Sequence, residues 1–309
     1  MEDPGICVIL NAGSGKPDAK SQPDSIRAAF SSHGADITLK VITNGSRLMA
    51  ETKSALDEGF RTIVAAGGDG TICAVAGVLS GSDTVMGILP LGTFNYVARS
   101  LDLPMDIPTA AKVILDGHTM PLRIGMVNDS MFLNNASMGA YPAILEARED
   151  IYRRWGRSQI AAYWAVIKTL VTARRPMRLR LTVDGESRDI RSPLVFIVNN
   201  AYQLEQMKLE GANKITAGEM ALFIAPDTTR VGMIRHAVAV ALGRAAAEQD
   251  FELLGGKEID LENTDRPARS KRTIAKDGER ERLRGPFRFR LVMNALRVLV
   301  PAERVTQVR

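Results

Sequence analysis

Apolar residues in the first third of the chain come in short runs that alternate with segments of helical spacing. Residues 6–11 form an apolar run ending in a Gly/Ser loop, and residues 23–32 have the composition of a helix. Residues 37–43 are β-branched and read as a strand, while 46–58 carry Leu48, Met49, Thr52 and Leu56 at helical spacing. The alternation continues with a strand at 62–66, a helix at 71–79, a strand at 86–91 and a short helix at 94–101. Strands separated by helices, with tight glycine loops between them, predict a parallel sheet covered on both faces. Ligands of such sheets bind at the carboxyl ends of the strands. The loops after Leu10, Ala66 and Leu91 are therefore the places to look.

The pattern changes near Pro121. Residues 178–183, 194–199, 220–225, 259–262 and 287–292 are strand-like with few helices between them, which predicts a second, mainly β domain. Two segments interrupt it, 158–173 and 231–247. The first is apolar on nearly every face, with Trp164, Ile167 and Leu170 and a single charge at Lys168. It is shorter than the roughly 18 apolar residues that a spanning helix needs, so it reads as a buried helix or one lying at a membrane surface. Residues 263–272 read as a surface loop.

Composition narrows the class. A chain of 309 residues has room for about two domains and a proper core. Cys7 and Cys73 cannot build a disulfide framework, and with three scattered histidines they offer no zinc-ligand spacing. Acids stand at the N-terminus where a secretion signal needs basic residues, so a cytoplasmic protein is expected. The net charge of +5 is unevenly spread: residues 148–180 and 266–290 each carry an excess of +7, which leaves −9 on the remainder. Such blocks fit a phosphate-rich partner, whether anionic membrane, nucleotide or nucleic acid, or else a solvated basic face.

Three segments carry candidate chemistry. Asn11-Ala12-Gly13-Ser14-Gly15-Lys16 follows a strand but is no Walker A loop, because Leu10 stands at the first glycine position and Pro17 follows the lysine. It is either a small-residue loop bringing backbone amides and one ammonium to phosphate, or a plain strand-exit turn. Gly67-Gly68-Asp69-Gly70-Thr71 lets backbone approach a ligand closely, and the expected helix from Thr71 aims its free N–H groups at the same place. A carboxylate there would repel phosphate unless a cation intervened, so Asp69 reads as a ligand of nucleotide-borne magnesium; the alternative is a helix cap. Gly92-Thr93-Phe94-Asn95 repeats the device after the next strand.

These segments, with later ones, resemble the diacylglycerol kinase catalytic-domain family of soluble lipid kinases, to which sphingosine kinases are related. The resemblance runs from Asn11, Ser14 and Gly15 through Thr43, the 67–71 loop and Pro90-Leu91-Gly92-Thr93-Phe94-Asn95. It continues at Gly139-Ala140-Tyr141-Pro142, Arg148-Glu149, Arg153-Arg154-Trp155-Gly156-Arg157 and Val198-Asn199-Asn200-Ala201-Tyr202. It ends with Asp277-Gly278-Glu279, Pro286-Phe287 and Leu299-Val300-Pro301.

The resemblance implies an α/β fold: an N-terminal parallel-sheet nucleotide-binding domain at 1–122 with 296–309 returning to it, and a β-rich, sandwich-like lipid-substrate domain at 123–295. It implies phosphoryl transfer from ATP to a lipid hydroxyl such as that of diacylglycerol, with the active site between the domains. Asn11, Ser14, Gly15, Lys16, Thr43, Gly67, Gly68, Asp69, Gly70, Thr71, Gly92, Thr93 and Asn95 are then the candidate nucleotide contacts. Asp69 organises Mg2+ and phosphates, and Asp277, with Glu279 beside it, takes the hydroxyl proton. A second Asp-Gly-Glu at 184–186 is a rival, since Asp-Gly between strands is first of all a hairpin turn; only the position near the C-terminus favours 277.

Two departures from the family pattern stand out. Tyr96 follows Asn95 where relatives commonly have an acid. Thr216-Ala217-Gly218-Glu219-Met220-Ala221 lacks the aspartates of the turn that holds a structural magnesium in many relatives. They motivate an alternative, a lipid- or nucleotide-binding protein with reduced turnover; an NAD kinase-like activity is another, through the shared Gly-Gly-Asp-Gly. Tyr152, Trp155, Tyr163 and Trp164 among the arginines of 148–180 suit anionic headgroups and single-stranded nucleic acid alike. Because residues 153–157 fall within the resemblance, peripheral contact with an anionic membrane, or a structural role at the domain junction, is expected and nucleic acid is not, with a homodimer open.

Overall fold

The computed structural model describes residues 5–14, 21–139, 176–207, 209–227 and 251–307. The chain divides into two compact units, one running to Ile124 and resuming at Val292, the other formed by Gly125–Leu291. The expected helices at 158–173 and 231–247, the basic stretch up to residue 175, and the candidates Gly15 and Lys16 lie outside the described residues.

The first unit is built on strands β1 (Ile6–Asn11), β2 (Ile37–Ile42), β3 (Thr62–Gly67) and β4 (Val85–Pro90), completed by the end of a long strand, Phe287–Leu299. Their order is β2-β1-β3-β4 and then that last strand, with every pairing parallel. Register brings the carboxyl ends level: Asn11 lies opposite Ile42, Leu10 opposite Ala66, and Gly67 opposite Pro90. The loops singled out in the sequence thus leave the sheet side by side.

Both faces of this sheet are buried, as a parallel sheet requires. Val8, Leu10, Val64 and Ala66 pack with Ile26 and Phe30 of α1 (Gln22–Ser31) and with Ala110, Ala111 and Ile114 of α5 (Ile107–Asp116). On the opposite face Cys7, Ile9, Ile63 and Ala65 are also buried, and α2 (Leu48–Asp57) and α3 (Asp69–Leu79) pack there. A short α4 (Tyr96–Ser100) follows β4. Two sequence expectations are corrected: α3 begins at Asp69, with Gly68 as its N-cap, two residues before the expected start. Helix α5 was not expected, although the Asp106 side chain caps Thr109 N–H at 2.9 Å and Gly117 ends the helix in the left-handed region.

The second unit holds β5 (Thr119–Val127, entering from the first unit), β6 (Ser130–Phe132), β7 (Asn135–Gly139), β8 (Met177–Val183), β9 (Glu186–Ser192) and β10 (Leu194–Val198). It continues with β11 (Met220–Ile224), β12 (Glu252–Gly256), β13 (Glu258–Asn263), β14 (Lys271–Lys276), β15 (Glu279–Arg284) and the start of β16 (Phe287–Leu299). One antiparallel sheet has the order β12-β11-β10-β7-β14-β15, the other β16-β13-β8-β9. Met138, Ile197, Leu222 and Ile274 of the first meet Leu179, Leu181, Ile259, Leu261 and Phe287 of the second in one apolar core, the arrangement of a β-sandwich. On the outer face Phe196, Val198, Ala221 and Phe223 are covered by Leu204 of α6 (Ala201–Gln206) and Ile215 of α7 (Ala212–Thr216).

The α/β class with a parallel-sheet unit and a separate β-sandwich is the one expected. Among the described residues, no helix is long and apolar enough to cross a membrane.

Candidate functional site

At the carboxyl edge of the first unit's sheet, four loop segments are locked together by short-range contacts. The Asn11 side chain donates to Thr71 Oγ1 at 2.9 Å and accepts from Gly13 N–H at 3.2 Å. A Cβ on Gly13 would lie 2.7 Å from the Thr43 carbonyl oxygen, so the Ala12–Ser14 turn sits directly on the end of β2. A Cβ on Gly67 would meet Thr71 Oγ1 at 2.5 Å. One on Gly92 would meet the Gly68 Cα at 2.5 Å. Gly68 and Gly92 are needed because the 67–71 and 92–95 loops touch backbone to backbone, Gly13 because of the Thr43 carbonyl, and Gly67 because the Thr71 side chain folds over it.

The start of α3 is shaped for an anion. Its N-cap is Gly68, which has no side chain to cap it, so the helix end points its first N–H groups toward the glycine loop. Gly70 is exposed, and a Cβ there would meet nothing within 4 Å. Asp69 does not cap its own helix. Its Oδ1 accepts the Val97 N–H of α4 at 3.2 Å, tying the first glycine loop to the helix after the second.

Asn95 is the hinge of that second loop. It is buried with φ 51°, in the left-handed region that asparagine tolerates. Its side chain turns back to accept Gly92 N–H at 2.9 Å and donate to the Gly92 carbonyl at 3.2 Å. It therefore shapes the loop, while Thr93 beside it is exposed. Tyr96, in the position where an acid was expected, stacks on the exposed Phe94 ring at 5.4 Å between centroids.

In the second unit Asp277 and Gly278 have φ 46° and 88° and form the two-residue turn between β14 and β15. The Asp277 carboxylate accepts three consecutive backbone amides: Leu133 N–H at 2.7 Å, Asn134 N–H at 2.8 Å and Asn135 N–H at 3.1 Å. Asp184 and Gly185 make the same turn between β8 and β9, at φ 47° and 95°. Asp184 accepts Lys257 N–H at 3.0 Å and Glu258 N–H at 2.9 Å. Both Asp-Gly-Glu copies are thus hairpin turns whose carboxylate grips a neighbouring loop. Glu279 is exposed, whereas Glu281 bonds Ser130 Oγ and Lys276 Nζ, each at 2.7 Å. Burial pushes the Glu281 carboxyl up, but its bonds to Lys276 and Ser130 outweigh that and leave it lowered.

The donor set of the first unit fits a magnesium ion that arrives on phosphate. Asp69 is the one carboxylate in the glycine loops, and such an ion is held by one or two carboxylates plus the phosphates of its substrate. No group of three or more His, Cys, Asp or Glu suited to a metal occurs among the described residues. The residues at 216–221 do not fit the structural magnesium of relatives. Main-chain bonds close that turn, Ala217 N–H to Asn213 O at 2.9 Å and Glu219 N–H to Lys214 O at 3.0 Å. The Glu219 carboxylate and the Lys214 stem lie over Gly255, where a Cβ would meet both.

The fold therefore unites Asn11, Gly13, Thr43, Gly67–Thr71 and Gly92–Asn95 in one cluster of the first unit, and holds Asp277 in a separate cluster of the second. Sequence reasoning missed the Val97 amide and the 133–135 amides, which are backbone groups and leave no residue signature. It also missed Gln203, whose side chain bonds Asn135.

A cluster of glycine loops at the carboxyl edge of a parallel sheet and a β-sandwich make up the two units. Residues 5–127 match the diacylglycerol kinase catalytic domain, and residues 137–300 match the YegS C-terminal NAD kinase β-sandwich-like domain. Diacylglycerol kinase of Bacillus subtilis is 30% identical over 250 residues, which span 78% of this chain and 80% of that protein. A YegS-like protein of Klebsiella pneumoniae is 36% identical over 140 residues, 44% of this chain and 46% of its own length. A solved diacylglycerol kinase of Bacillus anthracis superposes with a TM-score of 0.67 over 98% of this chain and 99% of its own, at 16% identity, a likeness of fold. The chain belongs to the diacylglycerol kinase family of lipid kinases.

Proposed function

We propose that this protein transfers the γ-phosphate of ATP to the hydroxyl of a lipid such as diacylglycerol. The observation that carries this reading is the contact of Gly68 with Gly92, bridged by Asp69 to the Val97 amide. Two glycine loops joined in this way offer backbone N–H groups and a helix N-terminus to a triphosphate. Magnesium carried by the nucleotide would neutralise phosphate charge, with Asp69 as its carboxylate. Asn11 and Thr71 brace the loop through their mutual hydrogen bond.

In the reaction the lipid hydroxyl oxygen bonds to the γ-phosphorus, the bond to the β–γ bridging oxygen breaks, and ADP leaves with that electron pair. The hydroxyl proton passes to the Asp277 carboxylate, oriented by its three amides. Phosphoryl transfer has a loose transition state, so alignment and charge neutralisation matter more than a strong base. The exposed Arg280, Arg282 and Arg284 along β15 support contact with anionic headgroups, where the lipid is met.

The test is transfer of labelled phosphate from ATP to diacylglycerol in mixed micelles with Mg2+. Phosphatidic acid is expected. ATP binding with no lipid phosphorylated would favour a binding protein, the reading motivated by the acid-poor 216–221 turn and by Tyr96. NADP formed from NAD would favour the activity named in the sandwich domain's description.

A further inference from the structure

Beside Asp277 lies a group of buried carboxamides that the reaction above does not use. Asn134, Asn135, Asn199, Asn200 and Gln203 are each at most 7% exposed. Burying so many amides is unfavourable unless they are hydrogen-bonded, and most of their polar atoms are, Asn135 Oδ1 being an exception. Asn200 Nδ2 donates to Asn134 Oδ1 at 2.7 Å, and Asn200 Oδ1 accepts Gln203 N–H at 3.3 Å at the start of α6. Asn135 Nδ2 donates to Gln203 Oε1 at 2.9 Å. Asn199 completes the frame, its N–H donating to the Asn134 carbonyl at 2.8 Å and its side chain to the Leu133 carbonyl at 3.1 Å. All but the Asn200–Gln203 bond end on the three residues whose amides hold the Asp277 carboxylate.

An Asp-Gly hairpin does not require such a frame. The Asp184 turn has the same backbone and the same kind of carboxylate grip, yet its anchors Lys257 and Glu258 are exposed. The frame around Asp277 is thus additional to what folding the turn demands. We propose that Asn200 and Gln203 are positioning residues for phosphoryl transfer: they fix the 133–135 amides, and those amides fix the carboxylate that receives the hydroxyl proton. This rests on the role given to Asp277 above. A carboxylate held on two oxygens by three fixed donors cannot rotate away from its acceptor direction, and a misplacement of about 1 Å can lower a rate about 10²-fold.

The test uses the full chain, Mg-ATP and 1,2-dioctanoylglycerol in mixed micelles. Gln203→Met keeps the volume and removes the acceptor for Asn135. It is expected to lower kcat by about 10–100-fold with KM for ATP unchanged. Gln203→Glu keeps the acceptor and is expected to regain most of that loss. Because Gln203 acts through Asp277, the Gln203→Met/Asp277→Asn double variant is expected to be no slower than Asp277→Asn alone.

A wild-type kcat in Gln203→Met, or losses that multiply in the double variant, would overturn the proposal while leaving the Asp277 reading intact. Full activity of Asp277→Asn, or an inactive wild type, overturns that reading first. Should Gln203→Met not fold, Asn200→Ser decides. Faster amide exchange at 133–135 together with a lower kcat supports the coupling, and an unchanged kcat overturns it.

Discussion

The Asp69 carboxylate reaches past its own helix to accept the Val97 N–H at 3.2 Å, so one acid joins the start of α3 to the start of α4. This separates its structural task from the metal-binding one proposed for it. Asp69→Asn retains an acceptor for Val97 but loses the charge that a phosphate-borne metal needs. Melting temperature should stay near wild type while lipid phosphorylation falls by at least about 10–100-fold, the loss seen when only an outer-shell partner of a metal is changed. Equal losses in both would mean that Asp69 only ties the loops.

Gly92 and Gly70 make a contrasting pair. Alanine at 92 would place its Cβ 2.5 Å from both the Gly68 Cα and Asn95 Oδ1, so the loops must part, at a cost of about 1–3 kcal/mol. Alanine at 70 meets nothing and sits in a helix, where it should stabilise by about 0.5–1 kcal/mol. Yet if triphosphate lies over this backbone, the Gly70→Ala methyl will weaken ATP binding in calorimetry. A more stable Gly70→Ala protein with unaltered ATP affinity would move the phosphate elsewhere.

Asp277→Asn should cost about 1.5–3 kcal/mol for its part-buried charge-assisted bonds, and Asp184→Asn less, because its grip is exposed. Their activities should differ sharply. Asp277→Asn is expected to lose about 10²–10⁴-fold of turnover, the range of a general base. Asp184→Asn should turn over like wild type once folded. Denaturant melts and initial rates on the same preparations make the comparison.

The buried Cys7 thiol gives the fold an alkaline signature. Burial, outweighing the nearby Lys40 charge, pushes it from 9.0 up to about 11, with Glu58 adding to the rise. The unfolded chain releases this proton first, so the contribution is whole below pH 9 and declines as pH rises to about 11, by about 2–3 kcal/mol in all. Urea melts across that range should show the decline, and Cys7→Ala should flatten it.

Chelation should divide fold from function. The α7–β11 turn is closed by main-chain bonds and by Glu219 and Lys214 over Gly255, so EDTA should leave the melting temperature unchanged. Lipid phosphorylation should stop and return with added Mg2+. A fall in melting temperature on chelation would show that a metal supports the fold.

The glycine-loop cluster of the first unit was legible because parallel strands buried on both faces read as apolar runs, and glycine loops punctuate them. The edges of the second unit were not. Strand β9, with the sequence Glu-Ser-Arg-Asp-Ile-Arg-Ser, and β15, with Arg280, Glu281 and Arg282, are largely solvent-facing and carry no apolar alternation. Strand β7 is short, and its Asn135 and Ser137 are buried polar residues, the reverse of a strand signal. The Asp-Gly turns were legible as turns. What distinguishes Asp277 from Asp184, the buried amide frame of Asn134, Asn135, Asn200 and Gln203, is long-range packing between β7 and α6 that no local pattern encodes.

The most direct test is a mass-resolved assay of a lipid panel incubated with the full chain and Mg-ATP, run beside Asp277→Asn. A lipid gaining one phosphate with the wild type, and losing that gain with the variant, is the predicted result. ATP bound with no lipid phosphorylated, or phosphorylation undiminished in Asp277→Asn, would contradict the account.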